Sequence, residues 1–161
     1  MSALREADPG GVPKVCTVPI SGRHGTLDAG RNLILLSDKL SVREAAFGEA
    51  HLRFHASTRG AGDCEEANQV AAIHLIPSVR LMEVALRESG TAVGAADELG
   101  VAVHVLSHRI EGLAVIDSIL AASLWCEVDW PADGEMQGFE CVVADISVEH
   151  ASRVRSSRRA A

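Results

Sequence analysis

His51 and His55 stand four residues apart in the run Phe47-Gly48-Glu49-Ala50-His51-Leu52-Arg53-Phe54-His55, and Glu66-Ala67-Asn68 begins eleven residues after the second histidine. On an α-helix, positions i and i+4 lie nearly one above the other, so both imidazoles can converge on one ion. Glu66, arriving from the next helix, would complete a three-ligand set and leave a fourth position for water, as in a catalytic zinc site. In the His-Glu-x-x-His version of such a site, the residue after the first histidine is the general base. Here that residue is Leu52, which cannot take a proton. Losing a positioned base typically lowers a rate by about 10²–10⁴, although a bound metal still brings the pKa of its water toward ~7. Asp63 and Glu65, in the turn ahead of the second helix, are the nearest substitutes.

These side chains need helices to position them. Ser41 with Glu44 three residues later forms a capping box, which predicts a helix over 42–56 carrying both histidines. Asp63 is a natural N-cap for a helix running to 75, before Pro77. A third helix over 78–89 would turn Val79, Leu81, Met82, Val84, Ala85 and Leu86 inward and stop at Gly90. Residues 91–113 read as helix–turn–helix, with Val93, Ala96 and Leu99 on the inner face before Gly100 and Val101, Val105, Leu106 and Ile110 after it. A last helix is expected over 113–124.

Ahead of the metal helix, 15–20 reads as an edge strand interrupted by Pro19, 21–25 as a turn, and 33–36 as a buried strand. Together they suggest a small antiparallel sheet. Residues 125–130 and 139–148 alternate like two strands of a C-terminal hairpin joined across 131–134. The expected class is α+β, mainly helical: a flexible leader over 1–13, a single domain over 14–150, and a disordered basic tail over 151–161 with Arg153, Arg155, Arg158 and Arg159.

Bulk properties narrow the function. The 161 residues are 47% hydrophobic, which suits one folded domain with a real core. A net charge of −7 argues against an affinity for nucleic acid or an anionic membrane. No apolar run approaches the ~18 residues of a membrane span, and 1–13 holds no apolar signal core. Cys16, Cys64, Cys126 and Cys141 show no C-x-x-C spacing and are expected to be reduced, mostly buried thiols of a cytoplasmic protein, with Cys126 and Cys141 close across the hairpin.

Over about residues 32–125 the chain resembles the ImmA/IrrE family of zinc metallopeptidases. The run Asn32-Leu33-Ile34-Leu35-Leu36-Ser37-Asp38 looks like the strand that precedes that family's metal helix. Phe47, Ala50, His51 and His55 match its Phe-x-x-Ala-His-Glu-x-x-His phrase, Leu52 excepted, and Glu66-Ala67-Asn68 through Pro77 is similar to its Glu-Ala-Asn phrase. The resemblance implies zinc bound by His51, His55 and Glu66, position 52 as the general base, and a cytoplasmic protease that cleaves a transcriptional repressor. Two departures stand out: Leu52 removes the base, and Phe54 adds bulk beside the metal helix.

Plainer accounts stand beside this one. The two histidines fit an ordinary amphipathic helix, and Glu66 fits a capping box with Asp63. Leu52 suggests an alternative, a catalytically inactive metallopeptidase-fold module that binds a regulatory protein without cutting it. A second alternative, a helix–turn–helix DNA-binding regulator, has little basic character behind it. Residues 102–111 offer Arg109, two histidines and an acid, which reads as a packing module.

Overall fold

Ser41 starts the histidine-bearing helix as its spacing predicts. Its hydroxyl accepts from the Glu44 amide, the Glu44 carboxylate accepts from the Ser41 amide, and helix α1 runs Val42–Ser57. The computed structural model describes residues 11–132 and 139–144. The expected tail, most of the expected leader, part of the hairpin's connecting segment and residues 145–148 of its expected second strand lie outside them. Among the described residues there are six helices and four strands, an α+β architecture that is mainly helical.

Helix α2, Cys64–Leu75, starts on Asp63, whose carboxylate accepts from the Glu66 amide. Helix α3, Val79–Ser89, is capped by Ser78 and ends at Gly90, where a φ of 68° makes glycine the natural choice. The helix–turn–helix consists of α4, Ala92–Leu99, and α5, Val103–Ala114, with Gly100 at φ 70° between them. Helix α6 spans Ser118–Glu127 and is capped by Asp117. No single described helix is long and apolar enough to cross a membrane.

The strands are β1 (Lys14–Val18), β2 (Gly25–Asp28), β3 (Leu33–Ser37) and β4 (Cys141–Ala144), in the order β1-β3-β2-β4. The sheet is mixed, not antiparallel as expected: β2 and β3 form an antiparallel pair, but β1 runs parallel to β3 and β4 parallel to β2. The six-residue connection over 19–24 is too long for a tight hairpin, and it carries the chain past the β3 position so that β2 becomes a central strand. Sequence reading missed β2 because its four residues begin with Gly25 and end with Asp28, although all four are buried.

The C-terminal hairpin is also overturned. Residues Trp125–Glu127 belong to α6, since Ala121, Leu124, Trp125 and Val128 fall on one helical face and join the main core. Beyond it, Asp129 bridges Thr91, and β4 pairs with β2 instead of with 125–130.

The main core gathers Phe47, Met82, Leu86, Val105, Leu106, Ile110 and Leu124 among the helices. A second cluster, Leu27, Ile34, Leu36 and Leu52, lies between α1 and the sheet. Three residues expected inside are not: Leu81, Val84 and Val93 face solvent, because each lies on the outer side of its short helix. Arg109 is buried and donates from Nε to the Ile76 carbonyl at 2.9 Å, tying α5 to the end of α2.

Phe47 also stacks on two histidines of α5, His104 edge-on at 4.7 Å and His108 face-on at 5.9 Å. The Nε2 of His104 is buried with no hydrogen-bond partner among the described residues. Burial, helped by His108 and His24 and opposed by Glu44, pushes His104 down to about 4. A base whose pKa falls on folding gives stability that is complete above its unfolded value of about 6.5 and drains away as pH drops toward 4. We expect urea stability to decline across that window with a contribution from His104 of up to about 1.4 kcal/mol per pH unit. A His104→Phe variant measured at the same pH values should show a shallower decline; an unchanged slope would refute the assignment.

Candidate metal centre

Helix α1 presents two residues to one corner of the fold. His51 and His55 are both buried, at 0% and 2% exposure, and their rings lie 4.9 Å apart. The corner is closed by two sulfurs, not by a carboxylate. Cys64 is the first residue of α2, and Cys141 is the first of β4. One ligand atom from each of His51, His55, Cys64 and Cys141 lies within 4.8 Å of all the others.

These separations match what a tetrahedral ion needs. Two thiolates at about 2.3 Å from a tetrahedral zinc stand about 3.8 Å apart, and a thiolate and an imidazole nitrogen about 3.5 Å apart. The Cys64 and Cys141 sulfurs are 3.8 Å apart. His51 Nε2 lies 3.2 Å from the Cys141 sulfur, and His55 Nε2 lies 3.7 Å from the Cys64 sulfur. Two imidazoles and two thiols are also the donor chemistry that zinc takes in closed structural sites. The residues present therefore fit a metal ion.

Neighbouring groups prepare the donors. His51 Nδ1–H donates to Asn68 Oδ1 at 2.8 Å, which fixes the tautomer and leaves Nε2 bare toward the sulfurs. Burial, reinforced by His55 and opposed by the Asn68 bond, pushes His51 down to about 4 and keeps its ring neutral at ordinary pH. Burial also lowers His55, against the opposing pull of Asp63 and the Gly62 backbone. Burial and then the neighbouring Cys64 push the Cys141 thiol up to about 12, so a metal binding here would have to displace its proton.

Two glycines let aromatic rings brace the corner. A Cβ on Gly48 would lie 2.3 Å from the Phe139 ring, and one on Gly62 would lie 2.4 Å from the Phe54 ring. Phe139 packs 5.3 Å from His51, two residues before Cys141. Phe54, the bulky residue noted in the sequence, covers the loop that delivers Cys64.

Glu66 is placed differently from expectation. It is exposed in the first turn of α2 and is not among the converging donors, while its amide is held by Asp63. That bond also engages Asp63, and Glu65 is exposed. Leu52 is fully buried and faces the sheet cluster. The thiols differ from expectation as well: Cys64 and Cys126 are exposed, Cys16 and Cys141 partly so, and the neighbour of Cys141 is Cys64, not Cys126. A cleft of about 380 Å³ lined by Arg23, His24, Lys39, Glu44 and Glu140 includes none of the four donors.

Cys64 and Cys141 were overlooked because no pair-wise cysteine spacing announces them; ninety residues separate His51 from Cys141. The available signal was a cysteine nine residues after His55, in the first turn of the following helix. No family model, curated protein or solved structure matches the chain.

Proposed function

We propose that this chain is a zinc-binding, non-hydrolytic module in which His51, His55, Cys64 and Cys141 hold one structural ion. Its role would be to bind a regulatory protein partner. The observation that carries this reading is the convergence of four protein donors on one point. Four ligands fill a tetrahedral shell and leave no position for the water that a hydrolase must activate. The zinc would supply a cross-link between α1, α2 and β4. Leu52 supports the same reading, being packed against the sheet, and so does the exposure of Glu66. The burial of Arg109 speaks for a helix–turn–helix that packs against its neighbours, since the side chain best suited to a phosphate is spent on the Ile76 carbonyl.

Metal analysis of the purified chain and four variants tests the proposal. Wild type should carry one zinc per chain. Cys64→Ser and Cys141→Ser should lose most of it, Glu66→Gln should keep it, and cobalt substitution should give thiolate charge-transfer absorption. Zinc lost in Glu66→Gln but retained in Cys64→Ser would sink the four-donor site and favour a three-ligand peptidase that cleaves its partner. His51→Ala should lose zinc under either scheme and serves as the reference.

A further inference from the structure

The two sulfurs of this site differ from its two imidazoles in one respect: they can be reached. Both histidines are buried, but Cys64 is exposed and Cys141 partly so. Their sulfurs lie 3.8 Å apart. A disulfide requires about 2.05 Å, so closing it asks for an approach of under ~2 Å. The sheet allows this movement, because β4 is an edge strand whose partner among the described residues is β2 alone. Cys64, at the start of its helix, follows the loop over 58–62. Cys16 and Cys126 are not part of the cluster.

We infer that Cys64 and Cys141 form a peroxide-responsive pair whose oxidation to a disulfide ejects the metal. The inference rests on the four-donor reading above. The chemistry closes without further reagents. The Cys64 thiolate attacks one oxygen of hydrogen peroxide, the O–O bond breaks, and hydroxide leaves to be protonated by solvent. The Cys141 thiolate then attacks the Cys64 sulfenic acid, forms the S–S bond and expels the second hydroxide, which takes another proton. Two thiolates, peroxide and two protons become a disulfide and two waters, with two electrons passing from sulfur to oxygen. The ion keeps only two imidazoles, too few to retain it. The new bond replaces the metal tie between α2 and β4, so the oxidised chain stays linked at this corner while the histidines stand empty.

The test treats the zinc-loaded, full-length chain with hydrogen peroxide and follows zinc release with a chromogenic chelator and cysteine pairing by peptide mass mapping. We expect loss of the whole zinc equivalent, a Cys64–Cys141 disulfide, and recovery of both thiols and zinc after dithiothreitol and added zinc. The Cys16→Ser/Cys126→Ser double variant should respond as wild type does. Zinc that stays bound through peroxide overturns the inference alone. So does zinc lost while the sulfurs form sulfinic acid or pair with Cys16 or Cys126. A chain that carries no zinc before peroxide is added overturns the four-donor reading, and this inference falls with it.

Discussion

Chelating the metal should lower the unfolding free energy of the chain by about 4 kcal/mol when the comparison is made at free zinc near 1,000 times the dissociation constant. The size follows from what the ion would join. Structural zinc sites bind with apparent free energies of about 10–16 kcal/mol, and binding that requires the folded site adds to folding stability. Here the tie would span 77 residues from Cys64 to Cys141 and 90 from His51 to Cys141. Other support for β4 is thin. It pairs along one edge with β2, and Val142 and Val143 remain more than a third exposed.

The loss should accordingly be uneven. Hydrogen exchange at the β2–β4 ladder should accelerate more on chelation than exchange in the α3–α6 core, whose packing does not involve the four donors. Asn68→Ala provides a graded companion, because freeing the His51 ring while sparing the donors should weaken zinc about 10–100-fold. Urea curves that coincide with and without chelator would dispose of the structural ion.

How much of this was legible beforehand depends on the range over which each signal acts. Capping is local, so Ser41 and Asp63 marked their helices to within a residue. The histidine pair was legible for the same reason: a four-residue spacing on one helix contains its own geometry. Cys141 was not, because its place beside His51 depends on a parallel β4–β2 pairing that no neighbouring residue encodes. The hairpin expected over 125–148 failed for a related reason. The apolar residues from Ala121 to Val128 satisfy a helical face as well as an alternating one, and burial against the main core selects the helix. Glu66 is the opposite case, exposed and outside the converging donors. Its place in the phrase Glu66-Ala67-Asn68 suggested a ligand, yet the residue of that phrase that touches the site is Asn68.

Leu52→Glu would restore the His-Glu-x-x-His pattern in the sequence, and we expect it to damage the protein instead of creating a hydrolase. On α1, position 52 lies about 100° round the helix from His51. It faces Leu27, Ile34 and Leu36 and is fully buried among them. One Leu52 methyl carbon lies within 2.9 Å of where a Gly25 Cβ would stand, so the side chain is seated directly on the β2 backbone. A carboxylate there loses its hydration among largely apolar side chains. Burying an unpartnered polar group costs roughly 2–7 kcal/mol and an ionised one more, so the new acid should titrate high and the chain should lose at least about 3 kcal/mol. Leu52→Met, similar in volume and apolar, should cost less than about 1.5 kcal/mol and keep the zinc content of wild type. That contrast separates the two meanings of position 52. If it is a core position, Glu is far worse than Met and peptide hydrolysis stays undetectable in both. If instead Leu52→Glu folds as firmly as Leu52→Met and begins to cut a repressor substrate, the side chain reaches the ion's water, and the chain is a peptidase that lacks only its base.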